Sequence, residues 1–196
     1  LGFVPVISLS LAGLEKHPGF QVNLPTLQKM MYGVLYGDLL MSLVNQCKPS
    51  ELERGAAQAL ADRWTERLAW EMTGGVRYRQ VKANYRRILD DFTAISVQKT
   101  EKVMVGVVGE IFVKYSPLGN NNLEQFLVDE GAEVVVPGLL DFCLYCVYNN
   151  LLDHKFYGMQ KHVQALYQVA YRFLLGKEKD MIDTMEAHGR FTPPTL

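Results

Sequence analysis

The stretch that most constrains the fold of this chain covers residues 102–137, KVMVGVVGEIFVKYSPLGNNNLEQFLVDEGAEVVVP, in which two apolar runs flank a polar loop and a short amphipathic segment. Residues 103–108 carry no polar side chain, and their β-branched valines around Gly106 predict a strand buried on both faces. After Gly109 and Glu110 comes a loop that ends in Asn120, Asn121 and Asn122. These residues favour a helix start because their side-chain oxygens accept hydrogen bonds from free backbone N–H groups. Leu123, Phe126 and Leu127 form one helical face, Gly131 supplies the stop, and residues 132–136 predict a second buried strand. Two such strands joined through a helix pair in parallel. Ligands of parallel sheets gather beyond the carboxyl ends of the strands, the edge at which Glu110, the asparagine loop, Pro137 and Gly138 are then expected.

Before this segment, residues 3–9 predict a first strand. A helix follows from near Leu24 and Pro25 to about Asn45, with the proline tolerated in its first turn. Leu27, Met31, Val34, Leu35 and Met41 give it a core face that only Asp38 interrupts. Gly33 and Gly37, one turn apart, are placed to let a neighbouring backbone come close. Ser50 and Glu53 have the spacing of a capping box for a helix that runs past Trp64 and Trp70 to Gly74 and Gly75. Residues 78–95 predict a further helix, with Val81, Tyr85, Ile88, Leu89 and Phe92 as its apolar stripe. Beyond the second apolar run, residues 139–152 are apolar nearly all round, the pattern of a helix buried by several partners. Helices at 160–175 and 179–187 close the chain. The expected architecture is a single α/β domain. It has a three- to four-stranded, mainly parallel sheet flanked by helices, a helix-rich insertion at 24–97, a parallel-sheet unit at 102–152 and C-terminal helices at 160–187.

The 196 residues, 48% of them hydrophobic, suffice for one ample core. With 20 basic and 21 acidic side chains there is no global field to gather nucleic acid or anionic lipid, so neither is an expected partner. No run approaches the roughly 20 apolar residues of a membrane helix. Three cysteines, an odd number, make no secreted disulfide framework and point to a cytoplasmic protein. The start at Leu1 and the close in Thr192, Pro193, Pro194, Thr195 and Leu196 read as the ends of a piece excised from a larger protein.

Each candidate site residue has two readings. Glu110 suits an acid, a base or a ligand anchor at a strand edge, and equally a cap for the next helix or a surface partner of Lys114. Asn120, Asn121 and Asn122, with Gly119, suit an anion such as a CoA phosphate at a helix start, and equally ordinary capping. Cys143 and Cys146, three apart on a helix, share a face that offers two thiolates to a metal or cluster. Their apolar neighbours fit core packing better, and Cys47 brings the thiols to three where an iron-sulfur cluster takes four. His17, His154, His162 and His188 have no zinc spacing. Arg79, Lys82 and Arg86 form either a basic stripe for CoA phosphates or a solvated helix face. No phosphate-cradling G-x-x-x-x-G-K-[ST] or G-x-G-x-x-G pattern occurs.

The segment GVVGEIFVKYSPLGNNNLEQFLVDEGAEVVVPGLLDFCLYCVYN resembles the uncharacterised domain of long, fused proteins related to the activase of 2-hydroxyglutaryl-CoA dehydratase. Upstream, Tyr36, Gly37, Asp38, Leu39 and Leu40 resemble that family's GD-containing helix. Pro49 and Glu51, followed by Gly55, match its Arg-Pro-Tyr-Glu and Gly pattern, whereas Cys47, Lys48 and Ser50 depart from it. The resemblance spans roughly residues 5–150. It implies a structural or docking domain of a large activase- or dehydratase-related protein of 2-hydroxyacyl-CoA metabolism in anaerobes, not catalytic on its own. The alternative it implies is a dehydratase-like domain that binds part of an acyl-CoA or an iron-sulfur cluster at its sheet edge. Neighbouring domains of the same chain are the implied partners. No cofactor is expected within the segment, and the cluster and ATP are expected elsewhere in the parent protein.

Overall fold

The computed structural model describes residues 23–98, 101–158 and 163–195, which form eight helices and two short strands. Helix α1 (Leu24–Cys47) runs through the centre and touches α2 (Ala56–Thr73), α3 (Tyr78–Thr93), the second strand and the last two helices. It starts where Asn23 accepts a hydrogen bond from the Thr26 N–H at 2.9 Å, with Pro25 in the first turn. The stripe Val81, Tyr85, Ile88, Leu89 and Phe92 of α3 is fully enclosed. It belongs to one core with Leu35, Leu39 and Leu43 of α1 and Trp64 and Leu68 of α2. Some polar groups inside this core are paired across helices: the Trp64 indole donates to Asp91 at 3.0 Å, and Asn84 donates to Tyr36 at 3.1 Å and to Glu71 at 2.9 Å, whereas the Asn84 Oδ1 and the Tyr85 hydroxyl are enclosed without a partner.

The second half begins with β1 (Met104–Gly106) and continues through three short helices, α4 (Ile111–Tyr115), α5 (Pro117–Asn120) and α6 (Leu123–Asp129), to β2 (Glu133–Val135). The two strands pair in parallel, with Met104 opposite Glu133, Val105 opposite Val134 and Gly106 opposite Val135. Helices α7 (Leu139–Tyr157) and α8 (Gln164–His188) then pack on each other, and α8 returns to α3. There Asp180 accepts from the Tyr78 hydroxyl at 2.8 Å and pairs with Lys82 at 2.9 Å. Lys82 of the expected basic stripe thus ties two helices together.

The expected α/β fold is corrected by this arrangement. The described residues are mainly helical, and their sheet has two strands of three residues each, not three or four. The helices read as an insertion are the body of the molecule. The residues predicted as a first strand, 3–9, lie outside the described residues. The apolar run 103–108 does adopt an extended, parallel-paired conformation at its centre, but it is not buried on both faces: Val103 is 74% and Val108 81% exposed. Valine-rich composition selects the extended backbone, whereas burial on both faces needs a layer on each side, and only the face of Val105 and Val107 is covered.

Helix α7 departs in the same way, since Leu140 and Leu144 are buried while Tyr145, Phe156 and Tyr157 face outward. The two expected C-terminal helices are one continuous α8 across Gly176. At Gly33 and Gly37 an added Cβ would meet nothing within 4 Å, so neither admits a close backbone. Helix α2 begins at Ala56 without the Ser50 and Glu53 box. Instead the Glu51 carboxylate accepts from the N–H groups of Gly55 and Ala57, and Ser50 joins a short pairing with the segment around Val97.

Candidate functional site

The polar residue that interrupts the core face of α1 organises a cleft. Asp38 is 8% exposed, and its two carboxylate oxygens accept from the N–H groups of Leu139 at 2.8 Å and Leu140 at 2.9 Å. These are the first amides of α7, so a residue about a hundred positions away caps that helix and meets the positive end of its dipole. The cap is closed on the other side by Asp141, whose carboxylate accepts from the Gly138 N–H at 2.8 Å. Gly138 is required for this approach. A Cβ there would lie 2.7 Å from the Asp38 Oδ2 and 2.9 Å from its Cγ, closer than any real contact.

Around this cap gather groups from α8 and α4. Glu178 is 4% exposed, and its carboxyl is hydrogen-bonded to Asp141. Burial, followed by the bond to Asp141 and the nearby charges of Asp141 and Asp38, holds Glu178 well above the usual carboxylate range. It therefore enters this bond as the proton donor. Burial also raises Asp38, opposed by its two backbone bonds and by the charge of Lys114. Lys114 is itself buried, with its ammonium 4.6 Å from the centroid of the Tyr115 ring. The Tyr115 hydroxyl donates to the Pro137 carbonyl at 2.6 Å, so the segments that follow the two strands do meet. Its phenol is raised by burial first and by Asp38 second.

The cleft beside this cluster has a volume of about 190 Å³. Acid side chains of Asp38, Asp141, Glu133 and Glu178 share its walls with Met41, Met104 and Met181, and the segment from Thr192 to Thr195 runs along it. That segment is held by Gln46, which donates to the Thr192 carbonyl at 2.9 Å and accepts from its N–H at 2.8 Å. No Lys, Arg or His side chain lines the cleft among the described residues.

The residues singled out in the sequence lie elsewhere and are engaged in local structure. Glu110 is exposed and caps α4, with its carboxylate accepting from Phe112 N–H at 2.9 Å and Val113 N–H at 3.4 Å. The Asn120 side chain accepts from Leu123 N–H at 3.2 Å, and Asn121 and Asn122 occupy left-handed positions, φ 55° and 56°, that link α5 to α6. Gly119 is placed by sterics, since a Cβ would lie 2.9 Å from the Phe112 ring.

Cys143 and Cys146 are half-buried on α7, while Cys47 is fully buried among different neighbours. Burial pushes the Cys47 thiol up to about 11 and raises that of Cys143, opposite to the shift a metal-binding thiolate needs. Among the described residues no three His, Cys, Asp or Glu side chains are grouped to hold a metal ion. The thiols present do not fit an iron-sulfur cluster. Of the four histidines, His188 lies 3.6 Å from Asp90, and His17 and His162 fall outside the described residues.

Glu178 and Asp141 escaped notice in the sequence, although a signal was there. Leu174, Glu178, Met181 and Met185 follow helical spacing, so Glu178 occupies an apolar face just as Asp38 does. Comparison of the chain with protein-family models, with curated proteins and with solved structures finds no match. No described helix is long and apolar enough to cross a membrane.

Proposed function

We propose that this chain is a structural or docking domain of a larger cytoplasmic protein, related to the activase of 2-hydroxyglutaryl-CoA dehydratase, and that it is not catalytic alone. The kinship rests on the motif resemblance in residues 36–55 and 106–149. The docking role rests on one observation, the apolar surface of the segment from β1 to β2. Val103, Val108, Phe112, Leu118 and Phe126 are all more than half exposed, and they come from the strand flank and from each of the three short helices. Single exposed apolar residues are ordinary, but five within 24 positions are the composition of a surface that another body covers. The partner is a neighbouring domain of the same parent chain. The alternative of cluster binding draws no support from the cysteines, whose burial opposes thiolate formation. The acyl-CoA alternative finds Glu110 and Asn120 already engaged in capping.

Side-chain footprinting tests the docking role. Hydroxyl-radical labelling of Phe112, Leu118 and Phe126 is compared between this chain alone and the full-length parent. Labelling that falls several-fold in the parent supports docking. Equal labelling in both overturns it.

A further inference from the structure

The bond between Glu178 and Asp141 joins α8 to the first turn of α7 through two acid side chains. Two carboxyl groups share a hydrogen bond only while one proton lies between them, so the contact lasts as long as the pair keeps that proton. The surroundings offer no place for a second charge. Glu178 Oε2 is fully enclosed and meets no donor. Asp141 already accepts from the Gly138 N–H, and both oxygens of Asp38 are taken by Leu139 and Leu140. An ionised Glu178 finds neither water nor an N–H where it stands, and the joint must move to solvate it.

Packing decides which element moves. Beyond Glu178, α8 is anchored by the buried Met181, Ile182 and Met185 and by the ties of Asp180 to Tyr78 and Lys82. The middle of α1 belongs to the core. By contrast, α7 buries only Leu140 and Leu144 among its 19 residues, so its first turn is the weakest wall of the cluster. We propose that the contact between Glu178 and Asp141 is a pH-sensitive latch: with its proton in place the start of α7 is fixed to α8, and loss of the proton frees that turn while the helical body stays folded. The Pro137 and Gly138 junction, through which β2 leads into α7, is released with it.

The O–H bond of Glu178 breaks, its proton passes to a base in solution, and two carboxylates remain where there was one. The groups around Glu178 come from each neighbouring element. Asp141 of α7 and Asp38 of α1 oppose its ionisation, and Glu133 of β2 lines the same cleft. Lys114 of α4 acts on Asp38 from the other side, where burial keeps Tyr115 and Cys143 neutral. From α3, Tyr78 and Lys82 are bound to Asp180, and Lys177 of α8 itself lies over the Tyr78 ring at 3.4 Å. The balance of charge near Glu178 is acidic, so the latch stays closed through the range in which ordinary carboxyl groups ionise and opens above it.

Residue-resolved hydrogen exchange of the whole chain, followed by NMR at about pH 6 and about pH 9 and corrected for the intrinsic pH dependence of exchange, tests this. Protection of the Leu139, Leu140 and Cys143 amides should fall about tenfold or more at the higher pH, while that of Tyr85 to Phe92 in α3 changes by less than about threefold. Glu178→Gln and Asp141→Asn each replace the repelling pair with one that an amide N–H bridges, so either should hold the α7 protection constant over this range. Should one variant fail to fold, the other carries the comparison, and the measurement on the natural sequence stands without either. Protection of α7 that does not change with pH, an equal fall in α3, or an undiminished fall in a folded amide variant each overturns the proposal.

Discussion

The helical body and the small parallel lobe use similar residues to opposite effect. In the body, Leu35, Leu39, Leu43, Tyr85, Ile88 and Leu89 are completely enclosed. In the segment from β1 to β2, a comparably apolar sequence buries only Val107, Lys114, Ala132 and Val134, half-buries Ile111, Leu123 and Leu127, and leaves Met104, Phe112, Leu118 and Phe126 outside. The body's apolar residues repeat every three or four positions, so each helix presents a stripe that another stripe can cover. The lobe's apolar residues come in runs, on elements of three to seven residues, and two strands cannot enclose both of their faces. Apolar content measures the demand for a partner. Periodicity indicates whether the chain supplies that partner itself.

The sharpest way to break this comparison is by truncation. Phe92→Ala, in the body, should cost about 3–5 kcal/mol in denaturant unfolding, because it opens a cavity in the tightest part of the core. Next comes the joint between the two regions. Asp38→Ala removes two charge-assisted hydrogen bonds from the start of α7, and Gly138→Ala drives a methyl group into the same carboxylate. Each should cost about 2 kcal/mol by the same measurement. A Gly138→Ala variant as stable as the parent would show that the cap is not held as described.

A third test uses pH. The unfolded chain ionises Glu178 near the ordinary value of 4.5, while the folded chain keeps it protonated well above that. Between these limits the folded state binds more protons. The contribution of Glu178 to stability is thus complete below the ordinary value and is lost as pH rises through the folded one. Asp38, also raised, adds a slope of the same sign. Thermal melts should show Glu178→Gln flattening the fall of Tm from about pH 5 to about pH 8 without abolishing it. A steeper fall would contradict the assignment. The smallest effect is expected in the lobe, where Leu118→Ala, at a site 87% exposed, should change stability by less than about 0.5 kcal/mol.

What could be read from the residues follows the same division. The extents of α1 and α3 were legible from Val34, Leu35, Val81, Tyr85 and Ile88, because spacing encodes a helix's own contacts. The parallel pairing of the two valine runs was also legible, since β-branched residues fix backbone form. Strand number was not, because nothing in VMVGVV states how many neighbours will flank it. Asp38 stood out as a carboxylate on an apolar face, but its role depends on α7, which lies far along the chain. Glu178 was hidden by the charged run around it, from Lys177 to Asp180, where one more acid looks like solvent-facing surface. Glu110 and the asparagines carried the signal of caps; Glu110 and Asn120 cap through their side chains, whereas Asn121 and Asn122 supply left-handed backbone positions.

Native-state hydrogen exchange of this chain tests the central division most directly. Amides of α3 from Tyr85 to Phe92 should exchange only through global unfolding. Those of β1, α6 and β2 should exchange by local opening, with much lower protection that denaturant barely changes. Equal protection in the two regions, with the same dependence on denaturant, would contradict the account.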